Sequence, residues 1–188
     1  MKKIILASGS PRRKQLLEWA EIPFEIVVRE TDETFPAGLK VEEVAIHIAR
    51  QKATAVRSIV NNDSVILAAD TIVVLNDRII GKPKSREDAI NILSDLSGHQ
   101  HRVITGVVIV SDEKESSFSD STDVRFHELN PEQIRFYVDK YKPYDKAGAY
   151  AIQEWIGVVG IQSVTGDFYN VMGLPVSRVV RELKNIID

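Results

Sequence analysis

Ile4-Ile5-Leu6-Ala7-Ser8-Gly9-Ser10-Pro11-Arg12-Arg13 is the stretch on which the fold turns. The apolar run Ile4 to Ala7 makes a short buried strand, and Ser8-Gly9 breaks it. Ser10 suits a helix N-cap, because a serine hydroxyl accepts a bond from an otherwise orphan amide. Pro11 suits the first helical position, where no donor is missed. Arg12 to Ala20 is helical by composition. The strand-to-helix turn so expected aims exposed amides outward at the positive end of a helix dipole, with two guanidinium groups beside them, which is an anion site fit for phosphate. The competing reading is a plain capped helix with two solvated arginines. Positive charge in a first helical turn opposes the dipole, and a bound anion removes that cost. Polyphosphate binding is the working expectation.

The chain has 188 residues, enough for one large or two small domains with a substantial core. It is 44% hydrophobic and 27% charged with a net charge of -3, so broad binding to a nucleic acid backbone is not supported and a polyanion must be held locally. The absence of cysteine excludes thiol nucleophiles, zinc thiolate sites and disulfides. Met1-Lys2-Lys3 leads into an apolar run too short for a signal peptide, and no segment approaches the roughly 20 apolar residues of a membrane span. These features set the expectation of a soluble, cytoplasmic protein with no nucleic acid or membrane partner.

Phe24 to Arg29 reads as a strand, followed by the acidic loop Glu30-Thr31-Asp32-Glu33-Thr34. That loop is a solvated turn unless a phosphate site needing a divalent cation lies near it, since magnesium takes one or two carboxylates plus substrate oxygens. From Val41 to about Val60, apolar residues recur at helical steps, with Arg50, Lys52 and Arg57 off the stripe. Lys52 reads as a surface lysine unless this helix packs beside the phosphate turn. Val65 to Ala69 has the length of a strand buried on both faces and stops at Asp70-Thr71, placing a carboxylate at a buried strand end, where parallel-sheet enzymes carry catalytic groups. Ile72 to Leu75 then resumes the strand pattern, and Asn76-Asp77 turns a hairpin into Arg78-Ile79-Ile80. Lys82 is fixed between Gly81 and Pro83, and Ser85 caps a helix that ends at Ser97-Gly98.

His101 to Ser111 and Ser117 to Leu129 read as paired strands, with Thr105-Gly106 marking a bulge or the close approach of a ligand. Asn130-Pro131 opens a helix, Asp145 to Gln153 reads as a small-sided loop, Gly157 to Val164 as a strand, Gly166 to Asn170 as a loop, and Gly173-Leu174-Pro175 as the start of the last helix. Several templates fail. Gly81-Lys82 is followed by proline, so it is no P-loop. No dinucleotide glycine fingerprint opens a helix, the four histidines lack ligand spacing, and no Gly-x-Ser-x-Gly elbow occurs. What remains is a strand-end aspartate, an acidic loop and cations at Arg12, Arg13, Lys52 and Lys82, the parts for metal-assisted attack on a phosphoanhydride.

Ser8-Gly9-Ser10-Pro11-Arg12-Arg13, Ala69-Asp70-Thr71, Gly81-Lys82-Pro83, Leu96-Ser97-Gly98, Asp145-Lys146-Ala147-Gly148-Ala149-Tyr150 with Gln153, and Gly173-Leu174-Pro175 together resemble the Maf family, septum-formation proteins that are nucleoside triphosphate pyrophosphatases. Each motif alone is weak, but their shared order and spacing are specific. The resemblance implies one Maf-like domain over residues 1–188, with an elongated, two-lobed α/β fold, a mixed sheet and a central nucleotide cleft, similar to inosine triphosphate pyrophosphatases. It implies a hydrolase that splits a nucleoside triphosphate into monophosphate and pyrophosphate with a divalent cation, Mg2+ or Mn2+, and it admits a homodimer. Arg13, Thr71 and Gln153 match the dTTP/UTP branch of the family.

The roles that follow are these. Asp70 is general base and metal ligand, and Glu33 is metal ligand or water-positioning group. Lys52 and Lys82, with Arg12 and Arg13, neutralise phosphate charge. Ser8 and Ser10 orient the phosphate tail, while Thr71 and Gln153 contact the pyrimidine edge, an amide being able to donate and accept at once. The rival class is a nucleotide-binding regulator of septum formation without turnover.

Overall fold

The computed structural model describes residues 2–61 and 63–187. The opening apolar run forms β1 (Lys3–Leu6), and Pro11 starts α1 (Pro11–Trp19) with Ser10 at the N-cap position. The next strand is shorter than its sequence suggests. Of Phe24 to Arg29 only β2 (Glu25–Ile26) pairs, in parallel with β1, because Ile26 and Val28 have no core to enter and stay exposed. The helical periodicity after Val41 becomes α2 (Val41–Arg57), whose buried residues Val44, Ala45, Ile48, Ala49, Ala53 and Val56 are the expected stripe.

β3 (Ser64–Leu75) departs from expectation at the point that matters most. It runs unbroken through Asp70-Thr71, so Asp70 lies within a strand and not at its end. The strand pairs in parallel with β1 through Ser64 to Leu67 and then, antiparallel, with β4 (Arg78–Ile80) through Val73 to Leu75. Asn76 and Asp77 take the left-handed conformation (φ 50° and 61°) that a tight hairpin demands. Ser85 caps α3 (Arg86–Leu96) by accepting from the Asp88 amide at 3.1 Å. β5 (Gln100–Val110) and β6 (Glu115–Phe126) follow. Asn130 and Gln133 close a reciprocal capping box on α4 (Pro131–Tyr141). After a 3-10 turn at Ala147–Ala149 come α5 (Trp155–Gly160), β7 (Ile161–Thr165), α6 (Phe168–Met172) and α7 (Val176–Ile187).

Among the described residues the strands form one seven-stranded mixed sheet, in the order β2-β1-β3-β5-β6-β7 with β4 added to β3, so the fold is mixed α/β. The chain divides into two compact units, and the division falls inside β3, β5 and β6. The first unit (1–71, 105–120, 173–188) has its core where α2 lies on the sheet, Ala49, Ala53 and Val56 packing on Ile5, Ala7, Ile66, Ala68 and Val108. Gly106 is explained here. A β-carbon on it would lie 2.2 Å from the Ala45 carbonyl carbon, so it admits the α2 backbone and not a ligand, and β5 has no break there. The second unit (72–104, 121–172) is built on α3 and α4, with Phe126, His101 and Tyr150 in mutual edge-on contact at centroid distances of 5.0 to 5.4 Å.

Two expectations fail in that unit. The Gly157 to Val164 run is rich in β-branched residues, yet its first half is helix α5, and only Ile161–Thr165 is strand. Ile156 and Gly160, one helical turn apart, are buried, while Val158 and Val159 face out. A β-carbon on Gly157 would lie 1.7 Å from the Ile152 carbonyl oxygen. That close backbone approach, invisible to pattern, admits only glycine at 157. Phe168–Met172 is likewise helical where a loop was expected, and there Asn170 is pinned by its side-chain amide to the Val103 carbonyl (3.0 Å) and the Thr122 hydroxyl (3.0 Å).

Candidate active site

The first turn of α1 does not use its serines as expected. Ser10 makes no side-chain capping bond. Instead the Ser8 hydroxyl, buried, accepts from the Ser10 amide at 3.3 Å and from Arg13 Nη1 at 3.0 Å. Those two bonds use the oxygen's lone pairs, so the hydroxyl's own hydrogen is left over as a donor.

Arg13 is not a solvated charge. Only 8% exposed, it donates from Nε to the Gly173 carbonyl (2.8 Å), from Nη1 to Ser8 and from Nη2 to the Thr71 hydroxyl (3.0 Å). Burial lowers its pKa from the ordinary guanidinium value. The negative charges of Asp70 and Glu33 oppose that shift, while Arg12 adds to it. Three of five donors are thus committed to holding the loop ends together, and the buried cation is balanced by nearby carboxylates. Thr71 in turn meets the Thr105 hydroxyl at 2.9 Å. Gly173 closes the cluster with φ at 116°, a conformation that favours glycine, and a β-carbon there would lie 3.6 Å from both Arg13 Nε and Thr71 Oγ1.

One residue before Thr71, Asp70 accepts from Lys52 Nζ at 2.6 Å, and Glu33 Oε1 lies 2.8 Å from the same nitrogen. The Lys52 and Asp70 side chains are only 16% and 14% exposed, against 40% for Glu33. The Lys52–Asp70 contact is therefore the strong arm of the triad, and the Glu33 arm is more screened. Glu33 adopts φ 50°, a left-handed backbone rare for a non-glycine residue and found where a loop is over-determined. Its loop is tied to α2 by Gln51 Nε2, which donates to the Thr34 carbonyl at 2.8 Å.

The first unit therefore gathers Ser8, Ser10, Arg12, Arg13, Glu33, Lys52, Asp70 and Thr71, and the second holds Lys82 and Gln153. Lys82 and Gln153 are exposed, on loops linked by the Gly148 amide, which donates to the Gly81 carbonyl at 3.2 Å. Sequence reasoning missed the Gly173 carbonyl, the Thr105 hydroxyl and Gln51 as parts of the site. The motif glycine at 173 and the Thr105-Gly106 interruption carried a signal for the first two, and nothing marked Gln51. Among the described residues no group of three or more His, Cys, Asp or Glu side chains gathers as a metal cluster, and none of the helices is long and apolar enough to cross a membrane.

A family model described as Maf-like protein matches residues 3–186. A dTTP/UTP pyrophosphatase of Bacillus cereus is 52% identical over 98% of this chain and 95% of its own length. That of Parabacteroides distasonis is 48% identical over 97% and 95%, and that of Bacteroides thetaiotaomicron 46% over 98% and 96%. Among solved structures, the Ham1 protein of Staphylococcus aureus matches at 16% identity with a TM-score of 0.47, covering 97% of this chain and 100% of that one.

Proposed function

Since the chain belongs to the family of Maf-like proteins, we propose that it is a nucleoside triphosphate pyrophosphatase that hydrolyses dTTP and UTP to the monophosphate and pyrophosphate. The relatives bearing that name align over nearly the whole chain at about half identity, and the family match runs through both compact units, which act as one Maf-like domain. The observation that carries the chemistry is the Lys52 ammonium held between Asp70 and Glu33, with buried Arg13 electrostatically coupled to both carboxylates. Phosphate binding alone, without a metal, gains nothing from acids beside its cations. Water attack needs them, and this separates an enzyme from a silent binder.

In this reading Asp70 takes the proton from the attacking water, its oxygen oriented by the Lys52 bond. The residual Ser8 hydrogen and the amides at the start of α1 point donors at phosphate oxygens. Arg12 and Lys82 neutralise the tail, and Arg13 contributes field more than contact because three of its five donors are engaged within the fold. Thr71 and Gln153 address the base. Asp70 and Glu33 already converge on one cationic atom, so the pair fits the one or two carboxylates by which Mg2+ or Mn2+ is held, the other positions being left to substrate oxygens and water. Bound there, such a cation supplies charge neutralisation at the phosphates and acidifies water. The protein acts on free nucleotide in the cytoplasm, without a nucleic acid or membrane partner, as a monomer or a homodimer.

The test is release of pyrophosphate from dTTP and UTP, with magnesium or manganese, by the native protein and by Asp70→Asn. The expected outcome is pyrophosphate as first product and a loss of about 100-fold or more in the variant. Orthophosphate released first, or nucleotide bound with no turnover, would remove the assignment.

A further inference from the structure

Gln153 sits on a tight turn whose ends are fastened by a single buried hydroxyl. The Glu154 amide donates to the Ala151 carbonyl at 3.1 Å, closing the turn Ala151-Ile152-Gln153-Glu154 with Gln153 exposed at its third position. Tyr137, fully buried on α4, accepts from the Ala151 amide at 3.1 Å and donates its O–H to Glu154 Oε2. One oxygen therefore touches the first and last residues of the turn. Glu154 is further steadied by the buried ammonium of Lys146, 3.6 Å from Oε1. The Tyr137 ring stacks on Tyr141 at 4.9 Å, and the Asn130 capping box holds the start of its helix. The hydroxyl cannot drift with the turn.

We infer that Tyr137, acting through Ala151 and Glu154, is a positioning residue that fixes the backbone from which Gln153 reaches the base and thereby supports discrimination among pyrimidine bases. The inference rests on the proposed base-contacting role of Gln153. A carboxamide carries both a donor and an acceptor, so an amide free to rotate satisfies the edge of uracil or thymine and, flipped, that of cytosine equally well. Rotation about the last side-chain bond is not governed by the backbone; what a rigid turn fixes is the point from which Gln153 reaches, so a turn that shifts loses the contact with the base and with it the preference that contact confers. Tyr137 supplies that rigidity without touching the nucleotide.

The experiment measures kcat and KM for dTTP and dCTP in the native protein, Gln153→Ala, Tyr137→Phe and the double variant. Tyr137→Phe keeps the stacked ring and removes only the oxygen. It is expected to raise KM for dTTP on the order of tenfold with kcat within about twofold, and to narrow the dTTP to dCTP preference by a like factor. In the Gln153→Ala background the same substitution should add nothing. Glu154→Gln, which retains an acceptor for the Tyr137 hydroxyl, should keep the native preference, and Glu154→Ala should lose it. The Glu154 pair also decides the matter if Tyr137→Phe proves too unstable to assay. If Gln153→Ala erodes the preference while Tyr137→Phe and Glu154→Ala do not, or if the losses are additive, the inference is overturned and the role of Gln153 stands. If Gln153→Ala leaves the preference intact, both fall together.

Discussion

The two compact units hold their functional side chains in opposite ways. In the first, the charges fasten one another: Lys52 to Asp70 and Glu33, Arg13 to Ser8, Thr71 and the Gly173 carbonyl. In the second, Gln153 stands exposed, and the placing is done by neighbours, through the Tyr137 clasp on the 151–154 turn. Groups proposed to neutralise phosphate and activate water are partly dehydrated and so need partners of opposite charge. Groups meant to select a small ligand can stay wet, provided their backbone does not wander.

The contrast breaks most visibly at Lys52. Lys52→Met leaves Asp70 and Glu33 without their common cation and should cut pyrophosphate release by about 1,000-fold, whereas Lys82→Met, removing an exposed charge, should cost nearer 10-fold in the same assay. Equal losses would show that the pairing around Lys52 has no special part. Next comes Arg13→Lys, which keeps the charge but cannot reproduce three divergent donors, and should destabilise the fold by about 3 to 4 kcal/mol in denaturant titration. A loss below about 1 kcal/mol would mean that Arg13 is not the clamp of its unit.

His101 gives a pH handle on the second unit. Burial lowers its pKa from 6.5 to about 4, so between those values the unfolded chain binds a proton that the folded chain does not. Its contribution is complete above pH 6.5 and is lost as pH falls toward 4, by about 3 kcal/mol in unfolding free energy. His101→Gln should flatten that part of the profile. The smallest effect separates two serines that sequence treats alike. Ser85→Ala should cost about 1 kcal/mol and Ser10→Ala only about 0.3, because Ser85 accepts a capping bond and Ser10 does not.

Legibility in the sequence followed the range of the interaction. The α2 stripe, the Asn76-Asp77 hairpin, the Ser85 cap and the Pro11 start depend on residues within a turn of one another, and each was readable. The reading of Asp70 as a strand-end residue fails, since β3 carries on past it. Gly106 was noticed and misread, because its contact is the backbone of a helix some 60 residues earlier in the chain. The 157–164 segment misleads because valine and isoleucine favour strands in isolation, while here Ile156 and Gly160 are buried one helical turn apart.

By itself the sequence determined the element types with local signatures, the family to which the chain belongs, and an inventory of cations and carboxylates suited to a phosphoanhydride. Tertiary structure alone decided which cation answers which acid, that Ser8 and not Ser10 accepts the bonds at the turn into α1, and that Arg13 is tied into the fold by three of its donors. The physical reason is distance along the chain. Caps and stripes are settled by neighbours in sequence, but a charge is assigned its work by whatever the folded backbone brings within about 3 Å of it.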